Sequence, residues 1–241
     1  MHRFRVEAIG DEDTLLLADG GQVHHLKNVL RLHRGDEITV FDDAGRECLC
    51  LVDGVGREGV TLAVQARTTA KPRKARLTIA CAVPKRGMDE VIDKLTQIGV
   101  DSVVPMRTQR VVARLDDDSS HLRVERWRRL ARAAAEQSHR SDVPDIGLVT
   151  DFSEVIARAS AFDLRLIPTL TGDRVSLSAA IRDVRPASIL VLVGPEGDFS
   201  DQEIQQALGA GFVLVDLGQH VLRVDTAAIS VAAYLMLAGV T

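Results

Sequence analysis

The chain has 241 residues, 46% of them hydrophobic and 27% charged, with a formal net charge of −4. That is enough for one large domain or two unequal ones, and it excludes a disordered or fibrous chain. The first residues are charged with no apolar run of signal-peptide type. The longest uncharged stretch, residues 226–241, falls short of the roughly 20 residues that span a bilayer and reads as a buried helix. A soluble, cytoplasmic protein without a membrane segment is expected.

The early part of the chain reads as short strands at residues 14–17, 37–41, 47–52 and 60–64, punctuated by Asp19-Gly20-Gly21, Asp42-Asp43-Ala44-Gly45 and Asp53-Gly54. Close spacing with turn residues between predicts a small antiparallel barrel. Val23, Leu26, Val29 and Leu30 have helical spacing, which predicts one helix over residues 24–32. The alternation Cys48-Leu49-Cys50 sends both thiols to one face, into a core. With Cys81 the cysteines number three, an odd count that argues against a disulfide scaffold. His24, His25 and His33 have no zinc-type spacing to them, so no metal is expected. Residues 68–76, TTAKPRKAR, are polar and basic with a proline and separate two patterns. The expected division is a domain of residues 1–70, a linker of 71–76 and a domain of 77–241.

Beyond the linker, strands alternate with helices: strand 77–83, helix 88–98 ended by Gly99, strand 102–106, a long helix 122–138, strands 164–167 and 189–193, helix 201–208, strand 213–217 and helix 225–238. Ser200 with Glu203 three residues on forms a capping box. Such alternation predicts an α/β layer with a mostly parallel sheet. From 122 to 140 there are six arginines against two glutamates, so a basic stripe can exist on an acidic protein. With eight aromatic residues in all, base stacking is not the expected mode of nucleic-acid recognition.

Three segments carry candidate chemistry. Gly194-Pro195-Glu196-Gly197-Asp198-Phe199-Ser200 follows the most apolar strand and feeds a helix. That is the usual ligand position in α/β sheets, although a turn of this kind is equally a structural element, and neither a phosphate loop nor a dinucleotide fingerprint is present. Residues 217–228 also join a strand to a helix; Asp225 or Thr226 can cap it, and Arg223 stands in an apolar stretch, paired or aimed at an anion. Glu136-Gln137-Ser138-His139-Arg140 ends the arginine-rich helix, where cations are favoured by the helix dipole.

In this order and spacing these segments resemble the RsmE family of SPOUT methyltransferases that act on a uridine of ribosomal RNA. The match also includes His24-His25-Leu26-Lys27-Asn28-Val29-Leu30-Arg31, Ile98-Gly99-Val100, Pro105 with Arg110, Trp127, and Val143-Pro144-Asp145-Ile146. It covers nearly the whole chain. The resemblance implies an α/β SPOUT trefoil-knot methyltransferase domain behind an N-terminal PUA-like β-barrel, and a homodimer with active sites at its interface. It implies S-adenosylmethionine held by Ile167, Pro168 and Thr169, by Gly194, Pro195, Glu196 and Gly197, and by Leu217, Gly218, Val221, Leu222, Thr226 and Ala227. Arg223 would stabilise the uracil anion formed at N3, with His220, Asp225 or a backbone carbonyl taking the proton. His25, Arg31, Arg34, Arg110 and Arg140 would bind 16S rRNA or the assembled small subunit. Four residues depart from the family pattern: Asp198 for a glycine, His220 for an arginine, and Asp225 and Gln97 for glutamates. A non-catalytic rRNA-binding or assembly factor, or a SPOUT enzyme acting on another base or a ribose, are the alternatives.

Overall fold

Alternating burial along the early β-runs builds a five-stranded sheet from β1 (His2–Arg5), β2 (Thr14–Leu17), β3 (Glu37–Phe41), β4 (Arg46–Val55) and β5 (Val60–Thr69), in the order β1-β3-β4-β5-β2. The computed structural model describes residues 2–240 except 43–45, 57, 70–74, 111–116, 139 and 141. The expected turn at Asp43-Ala44-Gly45, most of the linker, and His139 therefore lie outside the described residues. The chain divides into two units, one of residues 1–72 with 139–142 and the other of the remainder.

The first sheet is not wholly antiparallel, because β1 runs parallel to β3 while the other pairings are antiparallel. His2-Arg3-Phe4-Arg5 is too short and too charged to announce a strand; Phe4, 3% exposed, is its anchor in the core. The expected helix over 24–32 also differs. α1 spans Gly20–His24, capped by Asp19 Oδ1 accepting from Gln22 N at 2.8 Å, and a π-helical turn follows over His25–Val29. The wider turn leaves Leu26 fully buried and Val29 exposed, and Arg31 ends it in the left-handed region at φ 53°. Cys48 and Cys50 do point into this core, with Leu17, Ile38, Val40 and Leu62. Burial, then the neighbouring Cys48, pushes the Cys50 thiol up to about 11.

The second sheet contains β6 (Arg76–Ala82), β7 (Ser102–Arg107), β8 (Asp145–Ile146), β9 (Thr150–Asp151), β10 (Leu164–Pro168), β11 (Val175–Ser176), β12 (Ser188–Val193) and β13 (Val213–Asp216). Its order is β11-β13-β10-β12-β6-β7-β8, with β9 also on β7, and its pairings are parallel. Helices cover both faces, which is why β12 can be apolar throughout. Ile189, Val191 and Val193 face one core with α2 (Met88–Ile98), α3 (Asp117–Gln137) and α7 (Val224–Leu237). Leu190 and Leu192 face the other, with α4 (Phe152–Ala157) and α6 (Asp201–Gly209). α5 (Leu177–Ile181) joins the first of these cores.

α2 has the predicted bounds. Met88, Val91, Ile92 and Leu95 form its buried stripe, and Gly99 closes it at φ 110°, where a side chain would be strained. Trp127 Nε1 donates to Asp89 Oδ1 at 3.1 Å, fastening α3 to α2. The capping box at α6 is present in both directions. α7 is not buried all round: Val224, Ala228, Val231, Ala232 and Leu235 face the core, while Tyr234 and Leu237 are exposed on the other side. Among the described residues no helix is long and apolar enough to cross a membrane.

Candidate active site

The sheet order places β10 between β12 and β13, so the loops leaving their carboxyl ends are neighbours although far apart in sequence. Crevices of this kind are where open α/β sheets bind ligands. Here the loops following Pro168, Val193 and Asp216 line an open cleft, the kind of concave surface that small-molecule sites occupy.

Of the expected cofactor residues, Pro168, Thr169, Gly194, Pro195 and Glu196 line this cleft on one side. Leu217, Gly218, Val221, Leu222 and Ala227 line it on the other, and His220, expected as catalytic, is among them. Ile167, fully buried, lies in the core. Gly197, Thr226, Arg223 and Asp225 are not in the lining. Leu170, Arg174, Val193, Asp198 and Val224 are in it as well and lie outside the expected cofactor set. The apolar ones carry no signal separable from core packing. Asp198, conspicuous as a departure from the family glycine, was the signal available.

Asp198 ties two walls of the cleft together. Its backbone sits at φ 58°, in the left-handed region, where glycine is at ease and Asp is one of the few other residues that settle. Its Oδ2 accepts from Thr169 Oγ1 at 2.9 Å and from Leu170 N at 2.7 Å. Its Oδ1 accepts from Phe199 N at 2.8 Å. Thr169, only 6% exposed, is held as well through its N–H to Val215 O at 3.3 Å, and its carbonyl accepts from Arg174 Nη1 at 3.1 Å. Gly194 has no room for a side chain: a Cβ there would stand 2.9 Å from Cε2 of Phe199, whose ring is buried and packs on Phe152 at 5.7 Å.

Arg110 braces the same turn from outside, its Nη1 donating to Gly197 O at 2.8 Å and to Phe199 O at 3.1 Å. Glu203, almost fully buried, accepts from Ser200 N at 2.8 Å and from Gln109 N at 2.9 Å. The glycine-rich turn is thus anchored at both ends, and its inner surface is free for a ligand.

Arg223 is the exposed N-cap residue of α7, its side chain making no capping bond. Asp225 Oδ1 accepts from Thr226 N at 2.6 Å and Thr226 Oγ1 at 3.2 Å. Cys81 lies beneath, fully buried; burial first, then the charges of Glu196 and Asp225, push its thiol up to about 12. It is no nucleophile. Among the described residues no cluster of His, Cys, Asp or Glu can hold a metal.

In the first unit, His25, Arg31 and Arg34 are exposed. Arg34 pairs with Asp53 at 2.9 Å, and His25 tilts against Phe4 at 6.4 Å. Arg140 is 9% exposed and pairs with Asp142 at 2.7 Å.

The cleft suits S-adenosylmethionine in kind: apolar walls of Leu217, Leu222, Val193 and Val224 for a ring, and polar groups at Thr169, Arg174 and Glu196. Comparison with known proteins points the same way. Residues 71–236 match the family model of the RNA methyltransferase domain, and 18–65 that of the RNA methyltransferase PUA domain. The ribosomal RNA small subunit methyltransferase E of Bacillus subtilis is 30% identical over 86% of this chain and 84% of its own. That of Mycobacterium tuberculosis is 31% identical over 93% and 87%. The crystal structure of the Neisseria gonorrhoeae ribosomal RNA small subunit methyltransferase E bound to S-adenosyl methionine superposes with a TM-score of 0.79, at 27% identity over 99% of this chain and 98% of that one. The chain belongs to the ribosomal RNA small subunit methyltransferase E family.

Proposed function

We propose that this protein methylates 16S ribosomal RNA from S-adenosylmethionine, at N3 of a uridine. The observation that carries the reading is the cleft at the carboxyl ends of β10, β12 and β13, assembled by three loops in a chain of this family. The cofactor, when bound, supplies an electrophilic methyl group on a sulfonium.

The protein's part is alignment, charge and proton handling. Pro168, Thr169, Gly194 to Glu196, Leu217, Gly218, Val221, Leu222 and Ala227, which line the cleft, hold the donor, and Ile167, Gly197 and Thr226 support them from outside the lining. N3 of uracil carries a proton, so its attack requires that proton to leave. Arg223, exposed beside the cleft, favours the resulting uracil anion. His220 in the lining, or the Oδ2 oxygen of Asp225, receives the proton; Oδ1 is already committed to the start of α7.

His25, Arg31 and Arg34 dock the rRNA or the assembled subunit on the PUA-like unit, and Arg140 and the remaining donors of Arg110 hold phosphates. The active form is a homodimer in the cytoplasm. Support for the dimer comes from Tyr234 and Leu237 on α7, exposed at 41% and 88%, with Val221 exposed at 73% near its start. Support for a trefoil knot comes from α7, which follows β13 yet packs against α2, β6 and β12.

Titration calorimetry with S-adenosylmethionine tests the reading, followed by mass spectrometry of the RNA product. Binding is expected, and Leu222→Asp abolishes it. Arg223→Ala keeps binding but lowers kcat by about 10²-fold, as loss of one anion-stabilising donor does. A folded dimer that binds no cofactor points instead to a non-catalytic assembly factor. Methyl transfer to a base position other than N3, or to ribose, refutes the site of modification.

A further inference from the structure

Arg174 is the only lysine or arginine among the sixteen residues lining the cleft. One donor, Nη1, is engaged by Thr169 O at 3.1 Å. Its other donors have no protein partner among the described residues. The carbonyl that holds it is itself fixed, because Thr169 is bonded to Val215 O through its N–H and to Asp198 through its hydroxyl. The guanidinium is therefore pinned at one corner, with its remaining N–H groups left for a ligand.

Neither carboxylate of the cleft forms an ion pair with it. Asp198 spends both oxygens on Thr169, Leu170 and Phe199. Glu196 is exposed and forms no ion pair with Arg174. The other polar side chains lining the cleft are Thr169, Glu196, Asp198 and His220, none of them a guanidinium or an ammonium, and a guanidinium with open donors selects for an anion. Within S-adenosylmethionine the adenine and ribose are neutral and the sulfonium and ammonium are positive. The α-carboxylate is the single anionic group.

We infer that Arg174 binds the α-carboxylate of the cofactor and thereby sets the orientation of its methionyl arm, with Thr169 and Asp198 as the residues that position it. The inference rests on the cofactor reading of the cleft. Such an arrangement discriminates whole S-adenosylmethionine from analogues without the carboxylate, since a charge-assisted, forked contact is lost.

The test compares S-adenosylmethionine with decarboxylated S-adenosylmethionine, which differs only in that group, by calorimetry on the full-length chain. Wild type binds the carboxylate-bearing ligand roughly 10- to 100-fold more tightly. Arg174→Gln, which keeps the aliphatic stem, removes that preference by weakening S-adenosylmethionine alone. Arg174→Lys, retaining charge without the fork, restores part of it. Equal weakening of both ligands in Arg174→Gln means a structural role and overturns the assignment. So does a wild type that binds both equally well, which leaves the cofactor site itself intact. If Arg174→Gln leaves both affinities unchanged and weakens only RNA binding, the guanidinium serves a phosphate and the assignment is again wrong. A wild type that binds neither ligand refutes both the assignment and the cofactor reading.

Discussion

Replacing Asp198 by glycine sets two local effects against each other. The variant loses two hydrogen bonds from the β10 loop to a carboxylate oxygen, at 2.9 and 2.7 Å. For a partly buried charged acceptor each is worth about 1.5 kcal/mol, so the loss is about 3 kcal/mol. Glycine relieves the left-handed backbone at φ 58°, a gain of about 1 kcal/mol, but it also costs about 0.5–1 kcal/mol in unfolded-chain entropy. The net expectation is a destabilisation of about 2.5–3 kcal/mol. In a unit of this size each kcal/mol moves Tm by about 2–4 °C, so the melt falls by about 5–12 °C. The sole tryptophan, Trp127, is buried between α2 and α3 of the second unit, and its fluorescence reads that unit alone. Asp198→Asn, which tolerates the same backbone and keeps one acceptor oxygen for the two β10-loop donors, falls between the two. If Asp198→Gly melts at or above the wild-type temperature, the carboxylate does not hold the two loops together and the argument fails.

Two further perturbations probe the frame around the cleft and the first unit. Gly194→Ala drives a methyl into Phe199, 2.9 Å from the nearest ring carbon; overpacking of about 1–3 kcal/mol is expected from the denaturant midpoint, and a neutral result means the ring yields. In the first unit, Asp42 is 1% exposed. Burial raises its pKa, but the N–H groups of Ile9 and Arg46 and the Arg46 guanidinium outweigh that and leave it below the ordinary 3.8. Its contribution to stability is therefore present above about pH 3.8 and lost as pH falls through the lower folded value. Asp42→Asn loses about 1–3 kcal/mol at neutral pH and lacks this part of the acid-dependent loss. Hydrogen exchange at the Ile9 and Arg46 amides measures it, and an unchanged acid limb counts against the assignment.

Elements that obey short-range rules can be read from the residues alone. α2 could be read to the residue because its stripe repeats at helical spacing and Gly99 supplies the left-handed stop. Ser200 and Glu203 announce α6 because a capping box is completed within four residues. Of the loops that line the cleft, the glycine-rich turn after Val193 and the segment after Asp216 stand out in sequence as strand-to-helix connections, whereas residues 167–169 are singled out only by the family resemblance. The tertiary structure decided the rest. β1 is a strand only because β3 accepts it as a parallel neighbour, and β8, β9 and β11, each two residues long, are too brief for any periodicity. The π-helical turn at His25–Val29 satisfies Leu26 in a core built from distant strands. Arg174 looks like an ordinary surface charge in sequence, and Asp198 shows only as a departure within a glycine-rich turn. They become parts of one cleft because β10 and β12 lie side by side, which brings a carboxylate to a hydroxyl 29 positions away. Contacts between residues so distant along the chain are set by the packing of whole strands, and no local pattern of residues encodes them.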